Sequence, residues 1–447
     1  MRKIVRWFAV VACLLLLAIV GVWYLSRTLG PTARQEAALA LLDKEDPVEG
    51  PNAFAALWLL GYDVPEGQQQ AVTAEDAARF ERTSKPNAPD FTAAPFESAA
   101  ASRFKDLSPS EADWGKFCKP RVPDCLANVR ADRAGYSALI DRNGRLIDKA
   151  VELRRYGHYR NAFPNRLDMP FPQFQYAIAP MTRHAVNFVD GDTDAALAGV
   201  CADMAAWRRI GPHSDSLIAR MIGIAYATDG YARLLADMLA ELPGSHPLPT
   251  VCASALAIPS VDESLICEAM KGESQYIRSG AMALASAPKP VDNTWVDFFF
   301  PALYSPEMAQ ARVAPAHAYA CSTEMRNAAA ADVPVVFSAI ETQGMGFDCV
   351  GNIAGCILLD LDTPRFDLYI QRGQDYTARL RLMATLLWLR DHADGETTVD
   401  QLLRKRPSFL VSPGHDIEVV DGGKALRIAQ FDATRDKYWQ IASPRMD

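Results

Sequence analysis

Residues Trp7–Leu25 read WFAVVACLLLLAIVGVWYL, nineteen positions without a charge. At a rise of about 1.5 Å per residue, a helix of this length nearly matches a hydrocarbon core of roughly 30 Å. Arg2, Lys3 and Arg6 precede it, and beyond Arg34 the chain turns acidic with Glu36, Asp43, Glu45, Asp46 and Glu49. That asymmetry puts the N-terminus in the cytoplasm and the body on the outer side, which in a bacterium is the periplasm. Trp7 at one end and Trp23 with Tyr24 at the other sit at the depths where aromatic belts form. A cleaved signal peptide has a shorter apolar region and a small-x-small site, whereas Tyr24-Leu25-Ser26-Arg27 is a poor one. Val10-Val11-Ala12-Cys13 fits a lipobox loosely, but the apolar stretch in front of Cys13 is too short and a long one follows it. The expectation is a single-pass, uncleaved anchor in a bacterial inner membrane, contacting lipid through Trp7–Leu25.

The remainder is ordinary globular material. Of 447 residues, 49% are hydrophobic and 22% charged, which excludes a disordered chain and a multi-span membrane protein. The net charge of −8 divides unevenly, because the first thirty residues carry Arg2, Lys3, Arg6 and Arg27 and no acid. A mildly acidic body lacks the dense cationic surface that phosphate neutralisation needs, so nucleic acid is not an expected partner.

Cysteine usage points to the same side of the membrane. Setting aside Cys13 in the apolar run leaves Cys118, Cys125, Cys201, Cys252, Cys267, Cys321, Cys349 and Cys356. An even number in an exported body suggests disulfides. Zinc is the competing use of such residues, but no C-x-x-C or close Cys/His pair is present, and no metal or cofactor is expected. Cys118-Lys-Pro-Arg-Val-Pro-Asp-Cys125 contains two prolines that turn the chain back, and Cys349-Val-Gly-Asn-Ile-Ala-Gly-Cys356 contains two glycines that permit the same. Cys252 with Cys267 and Cys201 with Cys321 would complete the set, as one of roughly a hundred connectivities.

The spacing of apolar residues predicts a mainly α fold. The N-terminal transmembrane helix (1–30) leads into a helical body (31–330), an irregular bundle or a short helical-repeat array. A mixed α+β region (331–447) closes the chain. Ala33–Glu45, Asn52–Gly61 and a helix through Arg82, with Thr73 and Asp76 as its capping box, open the body. Leu126–Tyr156 follows, with a break expected at Asn143-Gly144. Ile178–Met204 and Ile218–Met238 both suggest helix, Asp-Gly turn, helix, the one faint sign of a repeat. From Val333 the texture becomes β-branched and aromatic, Cys356–Leu361 is nearly continuously apolar, and Tyr376–Arg390 returns to a helix. Asp416–Val420 and Lys424–Ala429 flank Asp421-Gly422-Gly423 as a hairpin, with Lys437–Ile441 as a third strand against the Tyr376–Arg390 helix.

Catalytic spacings are mostly absent. The chain has no G-x-S-x-G, H-E-x-x-H, G-x-x-x-x-G-K-[ST] or G-x-G-x-x-G. Ser286-Ala-Pro-Lys289 has an S-x-x-K spacing without its partner motifs, and Gly344-Met-Gly346 with Gly351 has Cys349 where a phosphate loop needs glycine. Asp190-Gly-Asp192-Thr-Asp194 opens like a calcium loop but lacks the later glycine and the closing acid, so capping by Asp192 or Thr193 is the expectation. The seven histidines are scattered, with no pair at i,i+4.

Two clusters remain as candidate binding surfaces. Arg154, Arg155, His158 and Arg160 form the densest basic group, suited to an anion through guanidinium forks or simply to a helix C-terminus. Trp295, Phe298, Phe299, Phe300 and Tyr304 form the densest aromatic patch, suited to a docking surface or a core segment. Tethering without a catalytic signature leads to the functional expectation of a periplasmic protein-binding protein, an inhibitor or immunity factor or an envelope scaffold, with an envelope protein as partner. The alternative is an envelope hydrolase acting on cell-wall or polysaccharide substrates, which a cavity with converging carboxylates would favour over a flat aromatic surface.

Overall fold

The computed structural model describes residues 2–83, 96–166, 168–286, 294–336, 345–361 and 365–445. It is mainly helical, with a three-stranded antiparallel sheet at the C-terminal end. The first helix, Arg2–Leu29, is long and apolar enough to span a membrane, and its apolar window is unburied by the rest of the chain. Its far end is bonded directly to the body. Trp23 Nε1 donates to the Ala302 carbonyl at 2.7 Å, and Arg27 donates to the carbonyls of Ala302 and Tyr304 at 3.1 and 3.2 Å. Ser26 Oγ donates to the Phe347 carbonyl at 2.7 Å and accepts the Gly351 N–H at 2.9 Å. Thr32 and Gln35 then form a capping box for the helix Ala33–Leu42, which buries Ala38 and Leu42 against Ala314 and Ala318 of the helix Pro306–Tyr319.

One large core runs from Ala53 to Ile441. At its centre, the helices Pro180–Val189, Thr193–Ile210 and Arg233–Glu241 pack together, with Cys201, Met204, Leu235 and Met238 fully buried. The sheet consists of β1 (Ile417–Val420), β2 (Ala425–Ala429) and β3 (Tyr438–Ala442) in the order 1-2-3. The β1–β2 turn takes positive φ at Asp421, Gly422 and Gly423 (53°, 64° and 92°), which explains why glycines occupy two of the three positions. Alternate residues Leu426, Ile428, Trp439 and Ile441 face inward and join the helical core, packing on Arg233–Glu241 and on the long helix Phe366–Asp391.

Several local expectations are corrected. Asn143-Gly144 does not break its helix, which runs from Arg133 to Val151. The buried Asn143 amide instead donates to the Leu139 carbonyl and to Asp113, so the residue is satisfied without leaving the helix. Thr73 and Asp76 do not cap. They lie inside the helix Glu66–Thr83, where Asp76 is buried and accepts from Trp58 Nε1, Ser98 Oγ and the Ala99 N–H. The first Asp-Gly pair does turn the chain, with Gly191 at φ 92°, although Asp192 makes no side-chain cap bond. The second lies inside a π-helical stretch, Ala225–Ala232, continuous with its neighbours, so the two segments are not copies of one unit. The apolar run Cys356–Leu361 belongs to the helix Ile353–Leu361. Ser286 closes a described helix, but Lys289 and Gly344 lie outside the described residues.

Four disulfides form. Cys118–Cys125 and Cys349–Cys356 close the two short loops as their spacing predicts. The remaining pairs are Cys201–Cys252 and Cys267–Cys321, not Cys252–Cys267 and Cys201–Cys321. Helix packing decides this. The short helix Cys252–Ala255 lies on Thr193–Ile210, and the helix Cys267–Ser286 lies along Pro306–Tyr319, whose end delivers Cys321.

Candidate functional site

A cavity of about 530 Å³ is walled by segments far apart in sequence. Its base begins where residues 157–161 run beside 213–215. Tyr159 N–H donates to the His213 carbonyl at 3.2 Å, and Asp215 N–H donates to the Tyr159 carbonyl at 3.1 Å. The Asn161 N–H then points at both carboxylate oxygens of Asp215, at 3.1 and 3.0 Å. Asn52 holds this strand from behind, its amide bonding the Arg160 carbonyl and its oxygen accepting the Arg160 N–H. Ser216 caps the following helix, Leu217–Ile224, whose first N–H, on Leu217, lies near the Glu273 carboxylate and favours its charged form.

Glu273 arrives from the helix Cys267–Ser286, which can cross this close only because Gly272 has no side chain. A β-carbon there would stand 1.7 Å from the Asp215 carbonyl oxygen. Asp215 and Glu273 therefore line one cavity although 58 residues separate them in sequence. Aromatic and aliphatic side chains make the rest of the wall, among them Tyr159, Phe171, Met221, Tyr226 and Tyr276. Arg372 and Arg435 supply positive charge. Arg372 is committed to Asp432 at 2.6 Å, whereas Arg435 is exposed and makes no ion pair among the described residues.

Electrostatics separate the two cavity acids from the buried Asp203 and Asp229. Burial pushes the Asp215 carboxyl up to about 6, against the opposing pull of the Asn161 N–H and the Arg160 charge. Burial also raises Glu273, only partly countered by the Leu217 N–H. At Asp203 and Asp229 burial acts in the same sense but cationic partners win, whereas desolvation raises Asp237, in a separate cavity, to about 6 as it does Asp215. Asp203 is held below its ordinary value by His184 at 2.6 Å and Arg154 at 2.5 Å. Asp229 is held low by Arg379 at 3.1 Å and Arg121 at 2.8 Å. The π-helical stretch serves both regions, since Ala225 and Tyr226 line the cavity while Asp229 enters the ion cluster and accepts from Trp439 Nε1 at 3.1 Å.

The residues singled out from sequence lie elsewhere. Arg154 bonds Asp203 and the Gly199 carbonyl, Arg155 bonds Glu66 and Tyr156, and His158 sits near the Glu49 carbonyl at 3.4 Å. Arg160 pairs with Glu268. The basic cluster is thus distributed among separate partners and is not gathered into one anion site. Phe300 stacks on the buried Tyr304 with ring centres 5.2 Å apart, and Phe299 is exposed, while the side chains of Trp295 and Phe298 lie outside the described residues. Among the described side chains, none of these lines the cavity. The sequence did approach it, because the chain that carries Arg160 continues into Asn161.

A second cavity of about 330 Å³, between the Cys118–Cys125 loop and the sheet, presents Asp237 at an exposed position. The one grouping of potential metal ligands among the described residues is Asp348 with Cys349 and Cys356. Both of its sulfurs are joined in a disulfide and Asp348 is paired with Arg312, so it offers no thiolate. Comparison with family models, with curated proteins and with solved structures finds no match to the chain.

Proposed function

We propose that the chain is a single-pass protein of a bacterial inner membrane whose periplasmic body is a hydrolase of cell-wall or polysaccharide glycans. The observation that carries the reading is the pair Asp215 and Glu273, two carboxylates raised by burial in one aromatic-walled cavity without a committed cationic partner. Four disulfides support an oxidising compartment, and the basic N-terminal flank supports the orientation.

The chemistry follows from the environments. Asp215, raised to about 6, retains a proton at mildly acidic pH and delivers it to the glycosidic oxygen as the bond to the anomeric carbon breaks. Glu273 takes a proton from water, whose oxygen bonds the anomeric carbon, so that one sugar fragment leaves as an alcohol and the other as a hemiacetal. The partly exposed rings of Phe171 and Tyr276 offer flat faces to sugar rings.

The test is turnover by the full chain, reconstituted in bilayers, on a panel of peptidoglycan and polysaccharide substrates. Asp215→Asn and Glu273→Gln are each expected to lower turnover by about 10² or more, the usual scale for a lost general acid or base. Wild-type activity is expected to fall as pH rises through about 6, because the acid form of Asp215 is then depleted. No turnover on any substrate, together with stoichiometric recovery of one envelope protein from crosslinked membranes, would overturn the hydrolase in favour of the protein-binding reading.

A further inference from the structure

The body meets the outer end of the Arg2–Leu29 helix through a surface that is itself apolar. The helix Thr294–Leu303 contributes Leu303, 41% exposed, beside Ala302, whose carbonyl accepts from Trp23 and Arg27. The segment that accepts from Ser26 carries Met345, Phe347 and Val350, exposed by 58%, 47% and 40%. The disulfide Cys349–Cys356 ties that segment to the helix Ile353–Leu361, whose Ile357 and Leu358 are 46% and 45% exposed. The two short helices contact each other, and the Phe347–Cys349 turn contacts the Arg2–Leu29 helix. Soluble surfaces seldom gather this many large apolar side chains in one place.

The level of this surface identifies what covers it. Its bonds fall on Trp23, Ser26 and Arg27, where the charge-free run of the first helix ends. In a helix whose apolar run of nineteen residues matches the bilayer core, those positions lie at the headgroup boundary. Apolar side chains splayed sideways from that level face acyl chains, as do those of interfacial helices that lie on a membrane. We infer that Leu303, Met345, Phe347, Val350, Ile357 and Leu358 form a collar embedded in the outer leaflet around the transmembrane helix. The inference rests on the reading of Arg2–Leu29 as a membrane span. On it, the body is seated in the lipid surface and does not swing on a stalk.

Site-directed spin labelling of the full chain in phosphatidylethanolamine/phosphatidylglycerol nanodiscs tests the collar. In a Cys13→Ser background, single labels are placed at Leu303→Cys, Met345→Cys and Leu358→Cys, with Leu16→Cys as the span control and Glu418→Cys, on the exposed face of β1, as the aqueous control. Collar labels are expected to gain oxygen collisions and lose collisions with a nickel chelate relative to position 418. Nickel access equal to that at 418 would overturn the inference, as would shielding from both reagents, which marks a protein covering. Aqueous collar labels with a lipid-exposed position 16 would refute the collar alone, while an aqueous position 16 would refute the span beneath it. Because each collar position is already exposed, labelling should leave the fold intact, checked by unchanged helicity and protection of the eight disulfide cysteines from alkylation.

Discussion

Gly272 carries the geometry of the cavity acids. A methyl group there meets the Asp215 backbone oxygen, which neither the helix nor the Tyr159–Asn161 strand can vacate without moving Glu273. Gly272→Ala is expected to destabilise the fold by about 1–3 kcal/mol, the usual cost of overpacking, and to reduce turnover more than stability alone explains. Denaturant titration alongside single-turnover rates checks it. His415 makes a separate prediction. It is fully buried between Asp332, at 2.8 Å from Nδ1, and Asp375, at 2.9 Å from Nε2. Burial pulls its value down, but the two carboxylates outweigh burial and raise it above 6.5. Protonation therefore favours the folded state, so this contribution is complete below 6.5 and is lost as pH rises through the folded value. Urea titrations from mildly acidic to alkaline pH should show that decline, and His415→Ala should flatten it while costing about 3–5 kcal/mol at low pH. Neither site was legible in the sequence. Ser214-Asp215-Ser216 offers three capping residues for one helix start, and nothing local says that Ser216 caps and Asp215 is left facing a cavity. Asp76 misled for the mirror reason, since Thr-x-x-Asp spacing fits a helix end and a helix interior equally well.

At the scale of elements, local closure was readable and distant packing was not. The Cys118–Cys125 and Cys349–Cys356 loops announce themselves by prolines and glycines between near neighbours. Cys201–Cys252 and Cys267–Cys321, with separations of 51 and 54 residues, depend on which helices lie side by side. The same distinction orders their expected contributions to stability. Closing the longer loop removes more freedom from the unfolded chain, about 4 kcal/mol for Cys201–Cys252 against about 2.5 kcal/mol for Cys118–Cys125. Paired alanine substitutions should therefore lower the denaturation midpoint more for Cys201/Cys252 than for Cys118/Cys125, measured on the oxidised full chain. The β1–β2 hairpin was also legible, because its turn chemistry and alternation agree. The π-helical stretch was not, because Asp229-Gly230 signals a turn only until Arg121, Arg379 and Trp439 converge on Asp229 and hold it inside the helix.

For the whole molecule, composition and patterning were enough for a long apolar helix, a mainly helical body and a terminal sheet, since each is written in contiguous residues. The cavity is not contiguous. Its wall draws on residues from Tyr159 to Arg435, and single-chain spacing carries no trace of such convergence. Of the clusters that did stand out, the basic residues make separate pairings within the body, and Tyr304 bonds Arg27 of the first helix through its carbonyl. One helix connects these regions. Cys267–Ser286 bears Glu273 and Tyr276 at the cavity, and five residues beyond Tyr276 its Ala281 carbonyl accepts from Tyr304, beside the collar. At about 1.5 Å per residue that is a rise of roughly 8 Å. On the proposed seating of the body in lipid, this helix would fix how far from the collar a substrate is held in the cavity. On that proposal, the search for a substrate would run over a surface instead of through a volume, and material anchored in or lying on the membrane would be met first.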